Sequence, residues 1–128
     1  MHPNFSGRWT ARLDESRFVN RVPLWLTAEI VQSEDHLHCQ MRMAFEDSGD
    51  SRITFDASIV GGDEVRQGSV ALVRRMGDDL LIELSIESGG REVILRDRWW
   101  LSANRQRLTM AHKDDVLAGQ TVVFERQD

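Results

Sequence analysis

The sequence predicts an all-β fold, a closed antiparallel up-and-down β-barrel of 8–10 strands, spanning residues 1–128 as a single domain. Three observations predict it. Apolar residues recur with period two along almost the whole chain, as in half-buried strands. Turn-forming clusters such as "SEDH", "EDSGDS", "MGDDL", "ESGGRE" and "SANRQR" separate these runs, and most are too short for a parallel crossover. A meander of this many short strands also leaves two unpaired edges, which closure removes.

Nine strands follow in order. The first is "RWTARL" (8–13), a short run opened by Gly7. Only the segment after it, "DESRFVNRVP" (14–23), has helical character, at most a short turn near 14–22 that Ser16 caps and Pro23 ends. "LWLTAEIV" (24–31) places Leu24, Leu26, Ala28 and Ile30 on one face. "LHCQMRMAF" (37–45) does so with Leu37, Cys39, Met41, Met43 and Phe45, and "RITFDASIV" (52–60) with Ile53, Phe55, Ala57 and Ile59. Beyond "VGGDEVRQG", "SVALVRRM" (69–76) is read with Val70, Leu72 and Arg74 inward. "LLIELSIE" (80–87) contributes Leu80, Ile82, Leu84 and Ile86. "EVILRDRWWLS" (92–102) contributes Val93, Leu95, Asp97, Trp99 and Leu101. "RLTMAH" (107–112) and "QTVVFER" (120–126) add Leu108, Met110, His112, Val122, Phe124 and Arg126.

Arg74, Asp97, His112 and Arg126 thus carry inward parity on apolar faces. A charge in a dry core is costly unless paired or wetted. Either these residues sit near strand ends, or some of them meet in a polar-lined cavity, with Arg74 and Asp97 as an internal ion pair. Barrels of this strand number are filled by side chains or hold one small ligand. In a closed barrel the first and last strands are neighbours, so Arg126 is placed to stack on Trp9 beside Gly7 and latch the seam.

A net charge of -5 and a pI near 5.3 argue against nucleic acid as a partner. No apolar run approaches the ~20 residues of a membrane-spanning helix. The start "MHPNFSGR" has no leader-like run, and the lone Cys39 suits a reducing compartment, so a cytoplasmic location is expected. A periplasmic or secreted protein shorn of its leader would read the same. Cys39 reads as buried and inert. His36 and His38 share the polar face of their strand. They would need a third ligand from a neighbouring strand to hold zinc or copper, and solvated histidines are the plainer reading. No metal and no cofactor is assigned. Trp25 and Trp100 have outward parity and suit either a contact surface, a homodimer being one use of it, or rings partly covered beside Arg98 or Arg96.

Gly7-x-Trp9, the meander and the terminal "VVFER" with Arg126 together resemble the calycin group, which contains lipocalins and fatty-acid-binding proteins. "NFSGRWTARLDESRF", the proline before the second strand, "GDDLLIE" and "RWWLSANRQRLTM" look like a family of small bacterial lipocalin-like proteins across nearly the whole chain. The resemblance implies that Gly7, Trp9 and Arg126 are structural. It does not extend to the helical lid of fatty-acid-binding proteins, for which 14–23 leaves no room, nor to the lipocalins' long first loop. Nor does it reach the fatty-acid carboxylate site, since the chain has no tyrosine.

The function expected is binding of a small, largely apolar molecule in the barrel interior. Leu26, Met41, Phe55, Leu84 and Trp99 would be apolar walls, and Arg74, Asp97 and His112 polar contacts. One alternative is a barrel enzyme of isomerase, cyclase or lyase type with Asp97 and His112 as its acid–base pair. Another is a filled barrel acting as a protein-interaction module.

Overall fold

The computed structural model describes residues 3–60, 71–114 and 117–127. Nine strands run in chain order: β1 (Gly7–Ala11), β2 (Trp25–Gln32), β3 (His36–Phe45), β4 (Gly49–Val60), β5 (Ala71–Met76), β6 (Asp79–Ser88), β7 (Arg91–Leu101), β8 (Arg107–His112) and β9 (Thr121–Gln127). Each hydrogen-bonds to the next and β9 returns to β1, so the sheet closes into a barrel.

Eight of the nine contacts are antiparallel, and β4–β5 is parallel through Ile59–Val73 and Val60–Arg74. This corrects the wholly antiparallel expectation, and simple counting explains it. Strand direction reverses at every antiparallel contact, so a ring returns to its starting direction only if such contacts are even in number. A sequential ring of nine with antiparallel β1–β9 therefore requires a parallel pair. It falls at 61–70, the longest connection after 12–24, and one that approaches the dozen residues that a parallel crossover needs. The turn-like "GGDEVRQG" lies in that connection, outside the described residues.

Among the described residues there is no helix. Segment 12–24 instead forms a turn and then an isolated bridge from Arg17 to Thr121. Ser16 is not a helix cap: its hydroxyl donates to the Arg12 carbonyl (2.8 Å) and accepts from the Val123 N–H (2.9 Å), pinning the loop to β9.

The core follows the alternation in most strands, with Leu26, Ala28, Ile30, Leu37, Cys39, Phe55, Leu80, Ile82, Trp99, Met110 and Phe124 buried. Each large side chain contributes roughly 1.5–3 kcal/mol by leaving water. Two assignments change. Leu24 precedes β2 and is 59% exposed. In β5 the inward residues are Ala71 and Val73, which pair with Leu84 and Ile82 of the inward face of β6. Both faces of this strand are apolar, so its pattern does not choose a side; the register does. Leu72 and Arg74 therefore face outward, while Val70 lies outside the described residues.

Closure rests on local packing at the seam. Trp9 pairs with Arg126 in register, and the guanidinium lies 4.3 Å over the indole ring. Arg126 Nη1 donates to the Ser6 carbonyl (2.8 Å) and Nε to the Arg105 carbonyl (3.1 Å), while Trp9 Nε1 donates to the Phe5 carbonyl (3.0 Å). Gly7 has φ +145, and a Cβ there would stand 2.5 Å from Arg126 Nη1. Only glycine meets both demands. At this end Phe5 and Phe55 pack tilted against Trp99, closing the barrel floor with aromatic rings.

Candidate ligand-binding site

Above that floor the interior is hollow. A cavity of about 270 Å³ is walled by inward residues of seven strands, among them Leu26, Met41, Ile53, Phe55, Leu84 and Phe124. Its mouth is formed by the 12–24 loop through Phe18, Asn20, Arg21 and Pro23, together with Phe45, Leu117 and Gln120. Arg21 fastens that loop across the mouth. Its guanidinium lies 4.4 Å over the Phe45 ring and pairs with Asp47 in the β3–β4 turn.

Polar chemistry inside the walls is concentrated on one side. Asp97 of β7 and His112 of β8 are register partners, and both line the cavity. His112 Nδ1 lies 2.8 Å from Asp97 Oδ1 and 3.6 Å from Asp114 Oδ2. Neither Nδ1 nor Oδ1 is exposed or makes an aligned hydrogen bond, so the approach is oblique and the contact is chiefly electrostatic. Asp97 Oδ2 accepts from Trp99 Nε1 (3.3 Å), which fixes the carboxylate from below. The other imidazole nitrogen, Nε2, is not among the fully buried atoms and has no hydrogen-bond partner among the described residues.

Asp114 is the element that the alternation does not reveal. It lies just past β8 and is 2% exposed. Its Oδ1 accepts from Leu117 N (2.7 Å) and its Oδ2 from Arg96 N (3.1 Å), while Lys113 N donates to the Arg96 carbonyl (2.7 Å). These bonds bend the chain after His112 and hold a second carboxylate behind the imidazole. The available signal was the turn-like "KDD" run, where an aspartate commonly caps nearby backbone N–H groups.

The electrostatics follow from this enclosure. Burial alone would lower the His112 pKa, but Asp97 and then Asp114 outweigh it and raise it above the ordinary histidine value. For Asp114 burial pushes upward, yet the two backbone N–H donors and His112 hold its carboxyl below the ordinary range. Cys39 is pushed up to about 12 by burial and by the nearby Asp97. Donor atoms of Asp97, His112 and Asp114 lie within 4.8 Å of one another, close enough to hold a metal ion. A proton on Nδ1 faces the same two carboxylates.

Of the residues singled out from sequence, Leu26, Met41, Phe55, Leu84, Asp97 and His112 line this one cavity. Trp99 does not: it is completely buried in the floor, beneath Asp97. Arg74 does not either. It lines a second cleft of about 190 Å³ with Leu72, Leu81, Glu83, Arg96 and Lys113, which Asp97 and Ile82 also border, and Asp97 is paired with His112 instead. The cavity also shows that side chains do not fill the barrel. On the outer wall Trp25 is 36% exposed, whereas Trp100 is half-buried with Arg98 5.9 Å from its ring.

No protein-family model matches the chain, and no curated protein does. The closed nine-stranded barrel is consistent with a calycin-like fold on its shape alone. No helix among the described residues is long and apolar enough to cross a membrane.

Proposed function

We propose that this protein binds a small, largely apolar molecule inside a lipocalin-like barrel, with the Asp97–His112 pair meeting the ligand's polar group. The observation that carries this reading is the enclosed apolar cavity with one charged pair on its wall. Its volume, about 270 Å³, lies near the lower end of small-molecule sites, roughly 300–1,000 Å³. Affinity comes from apolar burial at about 25 cal/mol per Å². Orientation comes from His112, a lining residue whose Nε2 has no hydrogen-bond partner among the described residues while Nδ1 lies between two carboxylates. Together the three groups carry a net negative charge when His112 is protonated, which favours neutral ligands with a hydrogen-bond acceptor over anionic ones. The neutral dye N-phenyl-1-naphthylamine tests this. Its fluorescence should rise on binding, and Leu84→Trp, which fills the cavity, should abolish the rise without unfolding the barrel. A dye signal undiminished by Leu84→Trp would defeat the proposal.

The 2.8 Å Asp97–His112 contact favours a second reading, proton-transfer catalysis of isomerase, cyclase or lyase type. Asp97 would orient the ring, and Nε2 would take a proton from one substrate carbon and return it to another. On this reading His112→Gln stops turnover of any apolar substrate found while dye binding persists. Turnover that survives His112→Gln removes this reading and leaves the first intact.

A further inference from the structure

The outer face of the β3–β4 pair carries a second cluster, unrelated to the cavity. His36 and His38 are two residues apart and so project from the same side of β3. Asp56 stands directly opposite His38 on β4, in a ladder that runs ten pairs from His36–Ser58 to Phe45–Gly49. This is the neighbouring-strand ligand that the histidine pair lacked when the sequence was read alone. His36 Nε2 lies 3.1 Å and His38 Nδ1 2.9 Å from one and the same atom, Asp56 Oδ1.

We propose that His36, His38 and Asp56 form a site for a divalent transition metal, zinc above all. Two ligands at ~2.0–2.1 Å from a tetrahedral ion stand about 3.3 Å apart. The two nitrogen–oxygen separations seen here, 3.1 and 2.9 Å, are within a few tenths of an ångström of that spacing. The remaining edge, between the two imidazole nitrogens, is wider than 4.8 Å, so an ion seated among the three atoms replaces the protons that now bridge them once rotation of the partly exposed side chains brings the rings together. The long ladder keeps the backbone of both strands in place, so little ordering is needed. Imidazole nitrogen with one carboxylate suits zinc, copper(II) and nickel(II) rather than magnesium or calcium, which take oxygen ligands. Three protein ligands leave one tetrahedral position open to water or to an external group, and all three residues are accessible from solvent.

Calorimetric titration of the full chain with zinc tests the assignment. The expected result is one ion per chain, with binding weakened more than about tenfold by either His38→Ala or Asp56→Asn. Circular dichroism unchanged from the wild type would show that these surface variants still fold. Copper(II) bound at the same site should give an electron paramagnetic resonance signal split by two imidazole nitrogens, reduced to one in His36→Ala. Absence of zinc binding below millimolar concentration would overturn the proposal. So would binding that survives His38→Ala and disappears in His112→Gln, which would move the ion to the inner cluster.

Discussion

Replacing Gly7 with alanine probes the closure of the barrel at a single atom. The new methyl meets two obstacles. Alanine must adopt φ +145, a region almost reserved for glycine, at a strain of about 1–3 kcal/mol. Its Cβ also stands 2.5 Å from Arg126 Nη1, so the guanidinium must leave its place. That forfeits the stacking on Trp9, worth roughly 0.5–2 kcal/mol. It also forfeits the charged hydrogen bond to the Ser6 carbonyl, worth about 1.5–3 kcal/mol when intact. Some of the second loss is recovered by water, so the expected total is about 2–5 kcal/mol. Urea unfolding of wild type, Gly7→Ala, Arg126→Ala and the double variant separates the parts. In the Arg126→Ala background the methyl has nothing to displace, and Gly7→Ala should cost only the backbone strain. Equal costs in both backgrounds would refute the argument that glycine makes room for the arginine. A cost below ~0.5 kcal/mol in the wild type would refute the seam geometry altogether.

Other expectations follow from the same structure. His112 has a raised folded-state pKa, so the stability it contributes is complete below the unfolded value near ~6.5 and is lost as pH rises through the folded value. Asp114, with a lowered pKa, contributes above ~3.9 and loses that contribution as pH falls through its folded value. Urea midpoints should therefore fall as pH rises above about 6.5, and His112→Gln should flatten that limb; an unchanged slope contradicts the Asp97–His112–Asp114 arrangement. Cys39, buried and with a pKa pushed up to about 12, should resist thiol reagents in the native protein and react at once in urea, which a standard absorbance assay follows. Arg21→Ala should release the 12–24 loop from Asp47 and Phe45 and speed dye exchange in stopped-flow mixing with little change in affinity; unchanged rates would show that the mouth lies elsewhere.

Much of this fold was legible because one face of most strands is apolar and the other polar. Alternation of that kind locates the strands and their inward residues together, as in β3, where Leu37, Cys39, Met41 and Met43 all turn toward the interior. β5 shows where the method stops. With Val70, Ala71, Leu72 and Val73 in a row, both parities look apolar, and Arg74 was assigned to the wrong side. Its direction relative to β4 was misread for a different reason. Nine strands, antiparallel neighbours throughout and closure are mutually incompatible, and that incompatibility could have been counted from the sequence. Within the cavity, Asp97 and His112 stood out as polar residues on apolar faces. Asp114 and the Arg21 clasp did not, because each is defined by what it touches across the chain: Asp114 by Arg96 and His112, and Arg21 by Phe45 and Asp47. Asp56 was silent likewise, since only the register of β4 brings it to the two histidines.

Methionine methyl resonances offer the most direct test of a binding cavity inside this barrel. Met41, Met43 and Met110 line it, whereas Met76 sits on the outer end of β5, 54% exposed. With methyl-labelled methionine, titration with N-phenyl-1-naphthylamine should shift the three interior signals together and leave that of Met76 in place. Movement of Met76 with the interior signals still would put the dye on the outer wall and contradict a ligand site within the barrel.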